Sequence, residues 1–230
     1  MSDSLHLPPV DCRRFIVVEG VDGAGKSAQS QRVMDALKEM GFDPFWTRQP
    51  GGTDAGKQLR EILLHQGVSP KTQALLMFAD RREHLEKVIV PALAAGRFVV
   101  CDRYADSSFA YQGGGHGVSM DFLETLEREV CENVQPGLSF CFDVPLSVSR
   151  QRLAQTGKAP DQFESEGDAF FERAREVYHE RAKNRANAHI VDASGSLDEV
   201  ALASRAILER HVHSLGAQAS PLRARAARSP

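Results

Sequence analysis

Eight residues near the start of the chain, Gly20-Val21-Asp22-Gly23-Ala24-Gly25-Lys26-Ser27, have the types and spacing needed to hold a polyphosphate. They satisfy G-x-x-x-x-G-K-[ST]. Glycines let the backbone wrap an anion with its N–H groups turned inward. Lys26 is placed to reach the β- and γ-phosphates, and the Ser27 hydroxyl to hold Mg²⁺. A second chemical signal is Phe98-Val99-Val100-Cys101-Asp102-Arg103, an apolar run that ends in a carboxylate with a cation directly after it. In a parallel sheet that C-terminal edge is where ligands bind, so Asp102 is a second candidate metal ligand and Arg103 a candidate catalytic cation. Other separated cations are Arg48, Arg81, Arg150, Arg152 and Lys158.

The elements that must position these groups follow from the pattern. Phe15-Ile16-Val17-Val18 reads as a buried strand leading into the glycine loop. Gln29 to Met40 reads as a helix stopped by Gly41. Phe45-Trp46-Thr47 is a short strand running into the Pro50-Gly51-Gly52 loop, and 54–65 is a helix. Ser69-Pro70 opens a long helix to about Ala95, with Ala74, Leu75, Met77 and Phe78 as its apolar stripe and Pro91 as a bend. Gly113 to Gly117 predicts an irregular loop. Residues 119–132 then read as a helix, 138–143 as a strand and 145–155 as a helix. Residues 156–167 read as a mobile lid, 168–188 as a charged helix, 189–192 as a last strand and 197–212 as a closing helix. Strand and helix alternate about five times, which argues an α/β fold with a parallel sheet flanked by helices on both faces.

Bulk properties narrow the class. The 230 residues carry a net charge of −3 and are 42% hydrophobic. That suits one large domain over 13–213, with a loose lead-in at 1–12 and a disordered tail at 214–230. The charge argues against a general nucleic-acid binder, and no apolar run reaches the roughly 18 residues of a membrane span. The first residues lack the features of a secretory signal. Cys12, Cys101, Cys131 and Cys141 show no C-x-x-C spacing, so we expect reduced thiols in a cytoplasmic protein.

A glycine loop alone names a nucleoside triphosphate and no reaction. The guanine-reading N-K-x-D is missing, and several arginine-bearing loops suit transfer between two polyanions. At this point the chain resembles the bacterial thymidylate kinases, from about Arg14 to about Leu208. The resemblance is carried by Val18-Glu19-Gly20 through Ser27, by Thr47-Arg48-Gln49-Pro50-Gly51-Gly52-Thr53 and by Leu75 to Arg82. It continues through Asp102-Arg103-Tyr104, Ser107 to Gly115, and Asp161-Gln162-Phe163-Glu164. It implies a five-stranded P-loop kinase fold with a short lid, and Mg²⁺-dependent transfer of the γ-phosphate of ATP to dTMP. It also implies a homodimer.

Residue roles follow from that resemblance. Residues Gly20 to Ser27 would bind ATP, with Ser27 and Asp102 placing Mg²⁺. Asp22 would meet the 3′-hydroxyl of the acceptor, Arg48 its phosphate, and Arg103 both phosphates. Phe78 would stack on thymine, Arg81 would bond its O4 and Ser108 would face N3, with Ser107 and Gln112 beside them. Tyr111 would crowd the 2′ position. Taken from the residues alone, Phe78 on its apolar stripe reads as core before it reads as a stacking residue. Gly23 and Ala24 leave the loop without an arginine, so the transition-state cation would come from the lid side: Arg150, Arg152 or Lys158. Three positions depart from the pattern: Gln49 for Glu, His116 for Arg and Gln162 for a basic residue. They keep two alternatives open, a kinase for dUMP or a modified pyrimidine nucleotide and a weakly active nucleotide-binding regulator.

Overall fold

A computed structural model describes residues 6–157 and 162–216. Five strands form one parallel sheet: β1 (Phe15–Glu19), β2 (Phe45–Arg48), β3 (Val99–Asp102), β4 (Leu138–Asp143) and β5 (Ala188–Asp192), in the order β2-β3-β1-β4-β5. Alternate residues of β1 serve two layers. Ile16 and Val18 join the cluster containing Leu37, Phe140 and Phe171. Phe15 and Val17 join the one containing Phe78, Leu85 and Phe109. All four are essentially unexposed, and full burial of such side chains is worth roughly 1.5–3 kcal/mol each. The register sets Arg48 level with Asp102, and Asp102 level with Val18. One sheet edge therefore carries the candidate chemistry.

The helices are α1 (Lys26–Glu39), α2 (Asp54–His65), α3 (Pro70–His84), α4 (Val90–Ala94), α5 (Ala105–Ser108), α6 (Met120–Cys131), α7 (Leu146–Gln155), α8 (Asp168–Lys183) and α9 (Leu197–Ser214). Local chemistry explains their starts. Thr53 and Ser69 accept from backbone N–H groups as N-caps, Pro70 opens α3, and Ser196 with Glu199 forms a capping box on α9. The bend expected at Pro91 takes the form of a π-helical segment, Leu85–Ile89, joining α3 to α4.

Several expectations are corrected. The glycine run does not form an irregular loop: Phe109–Gly115 continues α5 as a π-helix. Its glycines serve close packing instead. A Cβ on Gly115 would lie 2.2 Å from the Phe170 ring, and one on Gly114 would lie 2.8 Å from the Arg173 carbonyl. Arg173 also donates to the carbonyls of Gly114 and Gly115, so this segment and α8 share a tight seam. The α8 helix ends at Lys183, because Ala188 already pairs with Ser139 in the sheet. Leu75 is 48% exposed and leaves the apolar stripe. The lead-in is tied down from Leu7, whose N–H donates to Glu132 (3.0 Å). Lys158 and Asp161 of the lid, and residues 217–230 of the tail with Arg223, Arg225 and Arg228, lie outside the described residues.

Candidate active site

The glycine loop leaves β1 at Gly20, whose φ is +133°. A Cβ there would lie 2.2 Å from the Phe142 carbonyl oxygen, so only glycine fits. The loop ends at α1, whose first residues are Lys26 and Ser27, so the helix N-terminus faces the loop's interior. Lys26 is buried and donates to the Val21 carbonyl at 2.9 Å. Burial and the neighbouring Arg103 push its ammonium pKa down, against the pull of Asp22 and Asp102. The Ser27 hydroxyl donates to Asp102 Oδ2 at 3.3 Å. The other oxygen, Asp102 Oδ1, is buried without a hydrogen-bond partner. An orphaned carboxylate oxygen beside a serine hydroxyl suits a hard cation that keeps most of its shell as water and phosphate.

Arg103 is the hub. Its φ of +69° is left-handed, a conformation that costs a non-glycine residue roughly 1–2 kcal/mol. Its N–H donates to the Val18 carbonyl at 2.9 Å, which anchors the strained residue to β1. The guanidinium pairs with Asp22 and donates to the Gly20 carbonyl (3.2 Å), Ser107 (3.1 Å), Tyr178 (3.0 Å) and Tyr111 (3.2 Å). The Tyr111 hydroxyl donates onward to Asp22 at 2.7 Å. Burial pushes the Asp22 carboxyl up, but Arg103 and Lys26 outweigh it and hold the group well below the usual range. Asp22 therefore stays ionised and fixes Arg103 at the mouth of the loop.

A small cleft, with a cavity volume of about 90 Å³, opens beside this hub. Its lining takes Asp22, Arg103, Ser107, Tyr111 and Gln112 from the sequence-read residues. It adds Pro50, Arg60, Leu64, Met77 and Phe163, which sequence reasoning had not placed there. Phe163, from the lid, meets the Tyr111 ring edge-on with centroids 5.8 Å apart. Gln112 is buried with its Oε1 unpartnered. The expected stacking residue is not on this lining. Phe78 is 1% exposed in the second core cluster, and the Arg81 guanidinium lies 4.4 Å over its ring. Arg81 is itself wholly buried, donating to Gln49 Oε1 (3.0 Å), the Tyr104 carbonyl (2.7 Å) and Ser108 (3.2 Å), while Nη1 has no partner. Arg48 stands exposed at the end of β2.

The lid-side cations separate. Arg150 is consumed locally: it pairs with Asp168 at 3.1 Å, donates to the Glu164 and Glu166 carbonyls and covers the Phe171 ring. Arg152 reaches the glycine loop, donating to the Gly23 carbonyl (3.4 Å) and to that of Gly195 (3.3 Å). His116 sits 3.6 Å from Glu166 of the lid.

Two supporting residues went unread in the sequence. Glu19, buried at the end of β1, accepts from the Tyr104 N–H (2.7 Å) and the Ser107 hydroxyl (2.6 Å), so it seats the segment after Arg103. The signal available was a carboxylate ending an otherwise apolar strand. His84 is buried between Thr47 and Gln49. Gln49 Oε1 accepts from Arg81, so its amide nitrogen must face His84 and donate to Nδ1 at 2.9 Å. Nε2 then carries the proton and donates to the Thr47 hydroxyl at 2.6 Å. Burial and Arg81 hold the imidazole pKa down at about 4. The loop bearing Arg48 thus rests on a neutral histidine.

Known proteins resemble this chain along most of its length. The family model described as thymidylate kinase matches residues 18–203. A thymidylate kinase of Bordetella pertussis is 48% identical over 208 residues, covering 90% of this chain and 98% of that protein. One from Nitrosomonas eutropha is 48% identical over 200 residues, covering 86% and 93%. Among solved structures, thymidylate kinase from Ehrlichia chaffeensis superimposes with a TM-score of 0.68 at 30% identity, covering 85% of this chain and 97% of that one.

Proposed function

The chain belongs to the thymidylate kinase family and is a dTMP kinase, and from that premise we propose how its residues move the γ-phosphate of ATP onto dTMP. The observation that carries the assignment of roles is the Asp22–Arg103–Tyr111 cluster, which joins the glycine loop to the cleft. Residues Gly20 to Ser27 cradle the triphosphate of ATP, and Lys26 leaves the Val21 carbonyl for its β- and γ-oxygens. Arg103 lies between donor and acceptor and stabilises the charge that passes from one to the other. Asp22 aims Arg103 and accepts the 3′-hydroxyl of the acceptor. Tyr111, braced by Asp22 and Phe163, fills the space a 2′-hydroxyl would need.

Arg48 and Arg60 flank the acceptor phosphate. Ser107 and Gln112 meet the base from the cleft lining, Gln112 offering its unpartnered Oε1, and Arg81 and Ser108 lie buried behind them, where Arg81 Nη1 is a donor left over for the base edge. Ser27 and Asp102 would hold Mg²⁺, which when bound neutralises charge on the phosphates. Arg152 is the lid-side cation best supported, because it already touches the glycine loop. Arg150 positions the lid, and Lys158 remains a candidate beside Arg152. In-line transfer needs no covalent intermediate.

We also propose that 13–213 form one kinase domain of a cytoplasmic homodimer. All four cysteines are unpaired thiols, and α3 presents Leu75 outward as a surface a second copy could cover. Among the described residues no helix is long and apolar enough to cross a membrane. The test is ADP release from ATP·Mg²⁺ with dTMP, dUMP, dCMP, dGMP or AMP as acceptor. Fast turnover with dTMP and slower turnover with dUMP is expected. ATP binding without acceptor-dependent ADP release would overturn the reading.

A further inference from the structure

The residue expected to stack on the acceptor base is buried elsewhere, so the cleft must offer the base another face. Three observations locate it. Phe78 is sealed in the core, its ring occupied by the Arg81 guanidinium. Its neighbour Met77 lies on the cleft lining with Leu64, Pro50 and Gln112. Met77 and Arg81 stand four residues apart on α3, so they sit one above the other on one helix face.

We propose that Met77, and not Phe78, is the side chain that packs against the face of the acceptor base, with Phe78 acting only as the platform under Arg81. The inference rests on the dTMP kinase reading of this cleft. The geometry suits one flat heterocycle: a thioether on its face, and one turn along the helix an arginine whose Nη1 still needs an acceptor at the base edge. Leu64 and Pro50 supply the apolar surroundings. A thioether is polarizable and unbranched, so it follows the face of a ring without presenting a ring of its own.

The test is ¹³C-methyl methionine NMR of the intact protein titrated with dTMP, with binding followed independently by calorimetry. Met77→Leu identifies its methyl signal. A base seated on Met77 shifts that methyl upfield through its ring current, while the methyls of Met34 and Met40, in and beside α1, stay in place. In steady-state assays, Met77→Ala raises KM for dTMP roughly ten- to hundredfold with KM for ATP unchanged. Phe78→Leu lowers the melting temperature and disturbs KM for dTMP less than Met77→Ala does. Calorimetric binding of dTMP with an unmoved Met77 methyl overturns the proposal and leaves the kinase reading standing. Failure of dTMP to bind, with no acceptor-dependent ADP release, would bring down the kinase reading and this inference with it.

Discussion

A neutral histidine under the phosphate-side loop has a measurable cost in acid. His84 is unexposed, its Nδ1 accepts from Gln49 and its Nε2–H donates to Thr47, so the native state has no place for a second ring proton. Its folded pKa is about 4 against an ordinary 6.5. The sign follows directly. Above about pH 6.5 both folded and unfolded chains hold the ring neutral, and stability is full. Below that the unfolded chain takes up a proton that the folded chain refuses, and stability drains away until the pH falls past about 4. The two pKa values give a loss of about 2 kcal/mol at pH 5 and about 3 kcal/mol at pH 4. The perturbation is His84→Gln, which keeps an amide between Thr47 and Gln49 and removes the titration. Urea unfolding of both proteins, at one protein concentration and at pH 8, 6, 5 and 4, isolates the histidine by difference. The variant starts lower at pH 8 and loses less than wild type on acidification, the gap closing by about 2 kcal/mol by pH 5. In Gln49→Glu a carboxylate faces Nδ1 and welcomes a proton, so the wild-type acid loss shrinks. Parallel pH profiles for wild type and His84→Gln would refute the tautomer assignment and the argument built on it.

Arg103→Ala removes the group that bonds Gly20, Asp22, Ser107, Tyr111 and Tyr178 and to which we assign the charge in transfer. Its kcat/KM falls by roughly 10³ or more, measured with saturating ATP, while circular dichroism shows the fold retained. Gly115→Ala drives a methyl to 2.2 Å from the Phe170 ring. Overpacking of this kind costs roughly 1–3 kcal/mol, so the melting temperature drops by several degrees in differential scanning calorimetry.

What could be read from the sequence was whatever lies together along the chain. The glycine loop is eight consecutive residues, and Asp102-Arg103 is a pair at one strand end, so each could be singled out without tertiary information. The helix start at Ser69-Pro70 was legible for the same reason, being local hydrogen-bond chemistry. The choice between Met77 and Phe78 was different. Adjacent residues on a helix point about 100° apart, and which of them meets the cleft depends on how α3 is rolled against the sheet. Glu19 and His84 escaped notice because their partners, Tyr104, Ser107, Thr47 and Gln49, come from other elements. The glycine run was misread because glycine signals both a broken backbone and a backbone that another helix must approach, and only the neighbour tells the two apart.

That neighbour is α8, and its seam with Phe109–Gly115 joins the residues of the cleft to the helix that follows the lid. One side of the seam carries Tyr111 and Gln112 of the cleft, and the other continues from Asp168, which pairs with Arg150. At Gly114 the Val177 side chain and the Arg173 carbonyl come so close that even a Cβ would clash, so little slack is left to absorb a displacement. If a nucleotide bound on the lid side orders α8, the seam carries that order to Tyr111 and Gln112. Thermodynamics makes such traffic two-way: whatever factor ATP adds to the affinity for dTMP, dTMP returns to ATP. Gly114 and Gly115 thus set α8 directly against the segment that lines the cleft.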